Sequence, residues 1–247
     1  MRSIVFNEKK VDLDGGYFFG RGVFETILVK SEPIFLKEHI ERLNKGIRVL
    51  NLGDEILIDD ILNLIEKHSI KNCVLKIVVS ERNLVLEVRE NKYKSRDYLK
   101  GFALKLSNVY RNSKSKLTYI KSTNYLENII EREEVTKDGY DEVLFLNEKG
   151  FVTEGSISNI FLIKENKIYT PKVESGLLPG VVRNFIINEF DVIEKEIILE
   201  DLLNSDEVFV TNSLLGIMGI SKIEDKIFSE NKITISIREK YELVIGD

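Results

Sequence analysis

A lysine and a glutamate stand in this chain at a spacing that could support chemistry. Lys121 directly precedes a helical pattern, and Glu154 lies further along in a loop rich in glycine and serine. A lysine amine can form a Schiff base with an aldehyde, and once released it can act as a base. A carboxylate can keep a pyridine nitrogen protonated, so that the ring withdraws negative charge. The pair therefore predicts an enzyme with a lysine-bound cofactor.

Pyridoxal phosphate also needs groups that bind its phosphate. Gly180, Val181 and Val182 begin a predicted helix, where backbone N–H groups bind anions, and the turn at Asn212 and Ser213 offers further donors. Arg42, at the edge of an apolar helical stripe, is a candidate cation; a salt-bridged surface arginine is the alternative. The combination predicts pyridoxal phosphate as the cofactor.

Composition excludes several other classes of protein. The 247 residues carry a net charge of -5, and no Lys/Arg cluster is interleaved with aromatics, so nucleic acid is not an expected partner. One cysteine and two histidines cannot build an intrachain disulfide, a thiolate cluster or a histidine metal site, so no metal is expected. No apolar run reaches the length of a membrane span. These features predict a cytoplasmic protein with no membrane partner, and the predicted lysine chemistry implies a small-molecule substrate.

Hydrophobic periodicity predicts an α/β fold with mixed sheets. Residues 3–6 and Val11 flank a polar turn and are expected to form a small hairpin. Residues 17–26 carry aromatics, two glycines and one carboxylate, and either a bulged strand or a pocket wall fits that composition. Other predicted elements are helices around residues 40–50, 61–67, 125–139 (with one apolar face), 181–190, 199–203 and 233–244, a hairpin of 74–79 with 84–88, and strands at 103–107, 143–146, 160–163 and 208–210.

A polar segment without apolar periodicity suggests a domain boundary. Residues 110–116 are the best candidate for an interdomain linker. We therefore expect a small N-terminal α/β domain at 1–109 and a larger C-terminal cofactor-binding domain at 117–247.

At five places, in order along the chain, the sequence resembles fold-type IV pyridoxal-phosphate enzymes. This family includes branched-chain aminotransferases, D-amino acid aminotransferases and 4-amino-4-deoxychorismate lyases. The resembling segments are 19–26 (pocket strand), 39–43 (helix with the phosphate-binding arginine), 121–126 (Schiff-base lysine), 152–161 (loop with the pyridine-binding glutamate) and 178–183 (phosphate-binding helix start).

The resemblance implies a two-domain fold, a bound pyridoxal phosphate, and a homodimer whose partner chain completes the site. Lys121 would carry the cofactor, Glu154 would contact the pyridine nitrogen, and Tyr125 would contact the phenolic oxygen. Many members have Thr where Val182 stands, which leaves only the backbone amide for the phosphate. The remaining cofactor-binding residues implied are Arg42, Asn159, Val181, Val182, Asn212 and Ser213.

The choice among the family's reactions rests on weaker features. The chain is short, and its Thr211-Asn-Ser turn is similar to that of the lyases, whereas the D-amino acid enzymes usually have Tyr where Phe24 stands. We expect an aminodeoxychorismate lyase of folate biosynthesis. An aminotransferase for branched-chain L-amino acids or D-amino acids, or a non-catalytic homologue, is the alternative. Phe24, Arg21 and Arg111 are candidate substrate contacts, with linker and surface roles open for both arginines.

Overall fold

The computed structural model describes residues 2–8, 10–229 and 231–246. The chain forms two compact units: Met1–Lys92 with Ile120–Tyr125, and Tyr93–Tyr119 with Leu126–Asp247. Both units combine helices with a sheet, which confirms the predicted α/β class.

The chain passes from one unit to the other at places other than the predicted linker. The crossings follow residues 92, 119 and 125, whereas residues 110–116 lie inside the second unit. Tyr110 and Arg111 are the last residues of a strand there. A polar segment resembles a linker in sequence, but the backbone of Tyr110 and Arg111 pairs with a neighbouring strand, and that pairing is non-local.

The first unit packs two longer helices on a sheet with strand order β1-β4-β3-β2. The β3–β4 hairpin confirms the prediction for that region. Its elements are β1 (Ser3–Phe6), α1 (Gly15–Phe19), β2 (Val23–Val29), α2 (Leu36–Leu50), α3 (Ile58–Lys67), β3 (Cys73–Val79) and β4 (Asn83–Arg89).

Helix α2 lies against β2 because its apolar stripe faces the sheet. Ile40, Leu43 and Ile47 are buried on that stripe, as the helical spacing predicts. Burial of each such side chain contributes roughly 1.5–3 kcal/mol. Gly46 permits the close approach, since a Cβ at this position would lie 2.6 Å from Val23 Cγ1. Helix α2 is thereby fixed on the strand that carries Glu25.

The predicted N-terminal hairpin is wrong. β1 pairs in parallel with β4, at the opposite edge of the hydrogen-bonded order from β2. The segment 19–26 likewise divides between two elements: α1 ends at Phe19, and β2 begins at Val23. Asp14 caps α1 by accepting from the Gly16 and Tyr17 N–H groups, a local bond that competes with an extended conformation.

The second unit is built on a sheet with strand order β10-β9-β8-β11-β12-β5-β6-β7. Its elements are α4 (Ser95–Lys100), β5 (Phe102–Arg111), a 3-10 turn (Lys116–Tyr119), α5 (Leu126–Lys137), β6 (Glu142–Asn147), β7 (Val152–Gly155), β8 (Asn159–Lys164), β9 (Lys167–Pro171), a 3-10 turn (Val173–Ser175), α6 (Val181–Glu189), β10 (Val192–Lys195), α7 (Leu199–Leu203), β11 (Glu207–Asn212), β12 (Gly216–Ile223), β13 (Lys226–Ile227) and α8 (Lys232–Val244).

An additional pairing of β7 with β8 closes part of this sheet into a ring. The ring runs through β8, β11, β12, β5, β6 and β7, and the core fills with side chains from these strands. The closing pair is Glu154 opposite Asn159, so two of the predicted cofactor-binding residues are direct neighbours across strands.

Helix α5 forms where the sequence predicts it, but three of its four apolar residues are exposed in this chain. Leu126 is 66% exposed, and Ile129 and Ile130 are exposed as well, whereas Val135 is buried. Helical periodicity identifies an apolar face and does not say which molecule covers it.

Candidate active site

Lys121 lies in an extended segment beside β2. The Phe24 N–H donates to the Lys121 carbonyl (2.9 Å), and the Thr123 N–H donates to the Gly22 carbonyl (2.9 Å). The Lys121 Nζ lies 4.4 Å from the centre of the Phe24 ring and 5.2 Å from that of Tyr125. These two rings meet edge to face at 5.2 Å. The amine is thus confined between two aromatic side chains of the same unit.

Arg42 is held by a buried carboxylate. Its Nε donates to Glu25 Oε1 and its Nη2 donates to Glu25 Oε2, both at 2.7 Å. His39 Nδ1 lies 2.7 Å from the same Oε2. The Glu25 side chain is fully buried, so both oxygens are desolvated and depend on these partners. The fork of Arg42 is therefore fixed in a single orientation.

The electrostatics of this cluster keep Glu25 ionised. Burial raises the pKa of Glu25, but the Arg42 guanidinium and His39 outweigh burial and lower the pKa to about 2. The pKa of His39 is lowered, chiefly by burial, with the charges of Arg42 and Lys121 acting in the same direction against Glu25. A neutral His39 satisfies a carboxylate only as the Nδ1–H tautomer.

Arg21 is engaged at the end of α2. Its guanidinium pairs with Glu81, and it donates to the backbone carbonyls of Leu50 (3.0 Å) and Asn51 (3.1 Å). Cations stabilise the C-terminus of a helix in this way. These contacts favour the surface role that the sequence left open, and a contact between Arg21 and substrate stays a prediction.

A row of polar residues crosses three neighbouring strands of the second unit. Glu154 on β7 pairs with Asn159 on β8, and Asn159 pairs with Thr211 on β11. The Thr211 hydroxyl is buried and has no hydrogen-bond partner among the described residues. A buried hydroxyl without a partner is costly, and a ligand is one way to satisfy it.

Glu154 and Asn159 both form hydrogen bonds with the backbone of Leu178. The Leu178 N–H donates to Glu154 Oε2 (3.0 Å), and the Asn159 side-chain amide donates to the Leu178 carbonyl (2.8 Å). After Pro179 comes Gly180, where a Cβ would lie 2.0 Å from Asn159 Oδ1, so a larger residue would displace the Asn159 side chain from its bond to Leu178. The carboxylate of Glu154 and the start of α6 are therefore joined through one short loop.

The start of α6 offers backbone donors. Gly180 is its N-cap and supplies no side-chain cap, so the first amides, beginning with Val181 and Val182, have no intrahelical acceptor. Helix α6 packs against β11, which ends at Asn212. Asn212 Oδ1 accepts the N–H groups of Leu214 and Leu215 (2.9 Å each), which fixes the turn containing Ser213.

A second buried carboxylate orders the loop after Glu154. Glu142, at the start of β6, is completely buried. Its Oε1 accepts the Ser156 N–H (3.1 Å) and the Ser156 hydroxyl (2.5 Å), and its Oε2 accepts the Ser158 hydroxyl (3.1 Å). This carboxylate replaces the water that residues 155–158 would otherwise need.

The predicted site residues divide between the two units. Phe24, Arg21, Arg42, Lys121 and Tyr125 belong to the first, and Arg111, Glu154, Asn159, Val181, Val182, Asn212 and Ser213 belong to the second. Within the first unit, Lys121, Phe24 and Tyr125 are neighbours; within the second, Glu154 and Asn159 are.

Sequence reasoning missed the roles of Glu25, Glu142 and Thr211. A signal for Glu25 was present, because β2 alternates and Glu25 shares the parity of the buried Val23 and Ile27. No local pattern identifies the partners of Glu142 or the register of Thr211.

Comparisons with known proteins place the chain among related enzymes. The model of the family described as amino-transferase class IV matches residues 22–223. The aminodeoxychorismate lyase of Bacillus subtilis (strain 168) is 32% identical over 239 residues, which cover 86% of this chain and 80% of that protein. A provisionally assigned branched-chain-amino-acid aminotransferase of Methanocaldococcus jannaschii is 27% identical over 256 residues, covering 92% and 88%.

A solved structure agrees in fold over the whole chain. The crystal structure of a protein from Legionella pneumophila, provisionally described as 4-amino-4-deoxychorismate lyase, superimposes with a TM-score of 0.88 at 28% identity and covers 99% of each chain. Among the residues that the structure describes, no helix is long and apolar enough to cross a bilayer.

Replacement of Glu25 tests the buried cluster. We expect Glu25→Gln to lower the free energy of unfolding at pH 7 by about 3 kcal/mol, because Arg42 loses its compensating charge. The pKa of Glu25 is depressed to about 2, so its contribution is complete above the unfolded value of 4.5 and declines as pH falls toward 2. Urea unfolding at pH 7 and at pH 3 should give a smaller difference at pH 3.

The matched control is Glu55→Gln in the same unit, whose partner Arg48 forms an exposed ion pair. Its effect should stay below about 1 kcal/mol. A Glu25→Gln loss that is as small as this, or that is independent of pH, would contradict the account.

Replacement of Glu142 tests the order of the 155–158 loop. Glu142→Gln places an NH2 group among hydrogen-bond donors, and we expect a loss of about 2 kcal/mol in thermal or urea unfolding. Glu133→Gln, on the exposed side of α5, is the control and should be neutral. Equal stability of the two variants would show that the loop does not depend on Glu142.

Proposed function

The chain belongs to the amino-transferase class IV family, and from that premise we propose that it is a pyridoxal-phosphate-dependent 4-amino-4-deoxychorismate lyase. This enzyme would release pyruvate from its substrate and leave 4-aminobenzoate, a precursor in folate biosynthesis. The similarity to the Bacillus subtilis lyase, 32% over 86% of the chain, carries the proposal.

The residues at the start of α6 fit a phosphate. The N–H groups of Val181 and Val182 lie where a helix N-terminus attracts anions, and the N-cap residue Gly180 makes no side-chain bond to them. The buried Thr211 hydroxyl, without a partner among the described residues, lies on β11, against which α6 packs. Arg42 would add a positive charge, and the Ser213 turn a further donor. Many family members have a threonine hydroxyl at the position of Val182, which can offer only its amide. The hydroxyl of Thr211 is our candidate to bind the phosphate in its place.

Glu154 fits the partner of a pyridine nitrogen. Its carboxylate is largely buried and already accepts the Leu178 N–H. The bond from the Leu178 N–H fixes the position of the Glu154 carboxylate, which would there hold a proton on the ring nitrogen. Asn159 would support this arrangement indirectly, because its side-chain amide holds the backbone of Leu178 in place.

Lys121 fits the residue that binds the cofactor aldehyde and moves protons. The rings of Phe24 and Tyr125 confine its Nζ, so the amine samples a small volume. Tyr125 would donate its hydroxyl proton to the phenolic oxygen. When bound, pyridoxal phosphate supplies an electron-withdrawing ring that stabilises negative charge at the carbon next to the substrate's nitrogen.

In the proposed reaction Lys121 handles two protons. Its Nζ removes the proton from the ring carbon that bears the amino group. The bond between the neighbouring ring carbon and the enolpyruvyl oxygen breaks, and the ring becomes aromatic. Lys121 Nζ–H then protonates the methylene carbon of the departing enolpyruvate, which gives pyruvate. The ionised Glu154 carboxylate would accept the N–H of the protonated pyridine ring and so keep the proton on that nitrogen.

The expected homodimer is part of the same proposal. Leu126, Ile129 and Ile130 on α5 are exposed, and so are Tyr17 and Phe19 on α1. Exposed apolar side chains clustered on one helix are typical of interfaces. A second copy of the chain that covers these side chains would supply further residues to the site.

An aminotransferase remains the second candidate, because the Methanocaldococcus jannaschii relative has that assignment. All class IV members would use the same lysine and glutamate, and the cofactor machinery does not distinguish the two reactions. Phe24, beside the Lys121 amine, is the position at which substrate choice would be made.

Product analysis tests the proposal. Protein loaded with pyridoxal phosphate is incubated with 4-amino-4-deoxychorismate, and we expect 4-aminobenzoate and pyruvate in equal amounts. Parallel incubations contain 2-oxoglutarate with branched-chain L-amino acids or with D-amino acids, and should yield little keto acid. Turnover of amino acids without formation of aminobenzoate would replace the lyase by the aminotransferase.

A further inference from the structure

Arg111 is buried and contacts three side chains of its own unit. It ends β5 and is 8% exposed. The central carbon of its guanidinium lies 3.8 Å from the centre of the Phe145 ring, and its Nη1 donates to Glu127 (2.9 Å). The side chain is therefore fixed by packing on one face and by an ion pair at one corner.

A third contact points to Glu154. Arg111 Nε lies 3.5 Å from Glu154 Oε1, within ion-pair range and beyond a good hydrogen bond. This Nε–H is buried and has no hydrogen-bond partner among the described residues. This Nε–H thus faces the carboxylate that would hold the cofactor's ring nitrogen.

We propose that Arg111 is a positioning residue, whose planar guanidinium orients the Glu154 carboxylate and keeps it ionised for the pyridine nitrogen. This inference rests on the proposed cofactor role of Glu154, and it replaces the predicted contact between Arg111 and a substrate carboxylate.

The charges of the cluster support this role. Glu127 and Glu154 carry two negative charges and Arg111 one positive charge, so the group is left with one negative charge. One protonated ring nitrogen balances it. An opposite charge within this distance favours the ionised form of a carboxylate. Lysine could not reproduce the geometry, because it has neither the planar stack on Phe145 nor two divergent donors.

The test compares two ligands that differ only at the ring nitrogen. Apoprotein is titrated calorimetrically with pyridoxal phosphate and with its 1-deaza analogue, in which C–H replaces that nitrogen. Unsubstituted protein should prefer pyridoxal phosphate. Arg111→Gln should lose about tenfold in affinity for pyridoxal phosphate, the size of effect typical when a residue behind a direct ligand is removed, and should bind the analogue as before.

The control and the double variant assign the effect to Glu154. Lys105→Gln removes a positive charge from the same strand, where Lys105 pairs with Asp138, and should leave the preference unchanged. Glu154→Gln should abolish the preference, and Arg111→Gln added to it should change nothing further. An additional loss in the double variant would mean that Arg111 acts by another route.

The possible results distinguish a failure of the proposed function from a failure of the role proposed for Arg111. If unsubstituted protein does not bind pyridoxal phosphate, the proposed function fails, and the role of Arg111 fails with it. If it binds with the expected preference and Arg111→Gln keeps that preference, only the role of Arg111 is overturned. Should Arg111→Gln not fold, Arg111→Lys decides: a reduced preference supports the guanidinium's role, and an unchanged preference overturns it.

Discussion

A carboxylate without water must find donors or a cation inside the protein, and both units of this chain are organised by that requirement. In the first unit Glu25 is surrounded by Arg42 and His39, which lowers its pKa to about 2 and fixes the arginine. In the second unit, Glu142 accepts hydrogen bonds from the 155–158 loop, and the Leu178 N–H orients the carboxylate of Glu154. The proposed cofactor-binding groups are held by buried electrostatics, so binding a charged ligand would require little further ordering.

Local sequence signals predicted the parts of the fold that local interactions determine. The stripe of α2 and the β3–β4 hairpin follow from apolar spacing and turn residues, and the start of α6 follows from Pro179 and Gly180. The candidate site was predicted from the same kind of local signal: Lys121 precedes a helical pattern, Glu154 lies in a small-residue loop, and Gly180 precedes a helix. The family found by comparison agrees with the one that those motifs resemble.

Interactions between distant segments were beyond prediction. β1 pairs with β4 because of sheet register, which no turn near residue 7 encodes. The segment 110–116 is polar, yet Arg111 belongs to a strand and lies between the carboxylates of Glu127 and Glu154. Thr211 joins Glu154 only through two successive strand pairings. In each case the sequence gives the residue type, whereas its partner depends on the tertiary fold.

Lys121 is proposed to form the covalent link to pyridoxal phosphate, and chemical reduction of that Schiff base would identify the lysine. Loaded protein is treated with borohydride and digested, and the peptides are mapped by mass spectrometry. We expect one phosphopyridoxyl group, on Lys121. Lys76, whose Nζ lies 5.5 Å from the centre of the same Phe24 ring, should stay unmodified. An unmodified Lys121 in fully loaded protein would contradict the account.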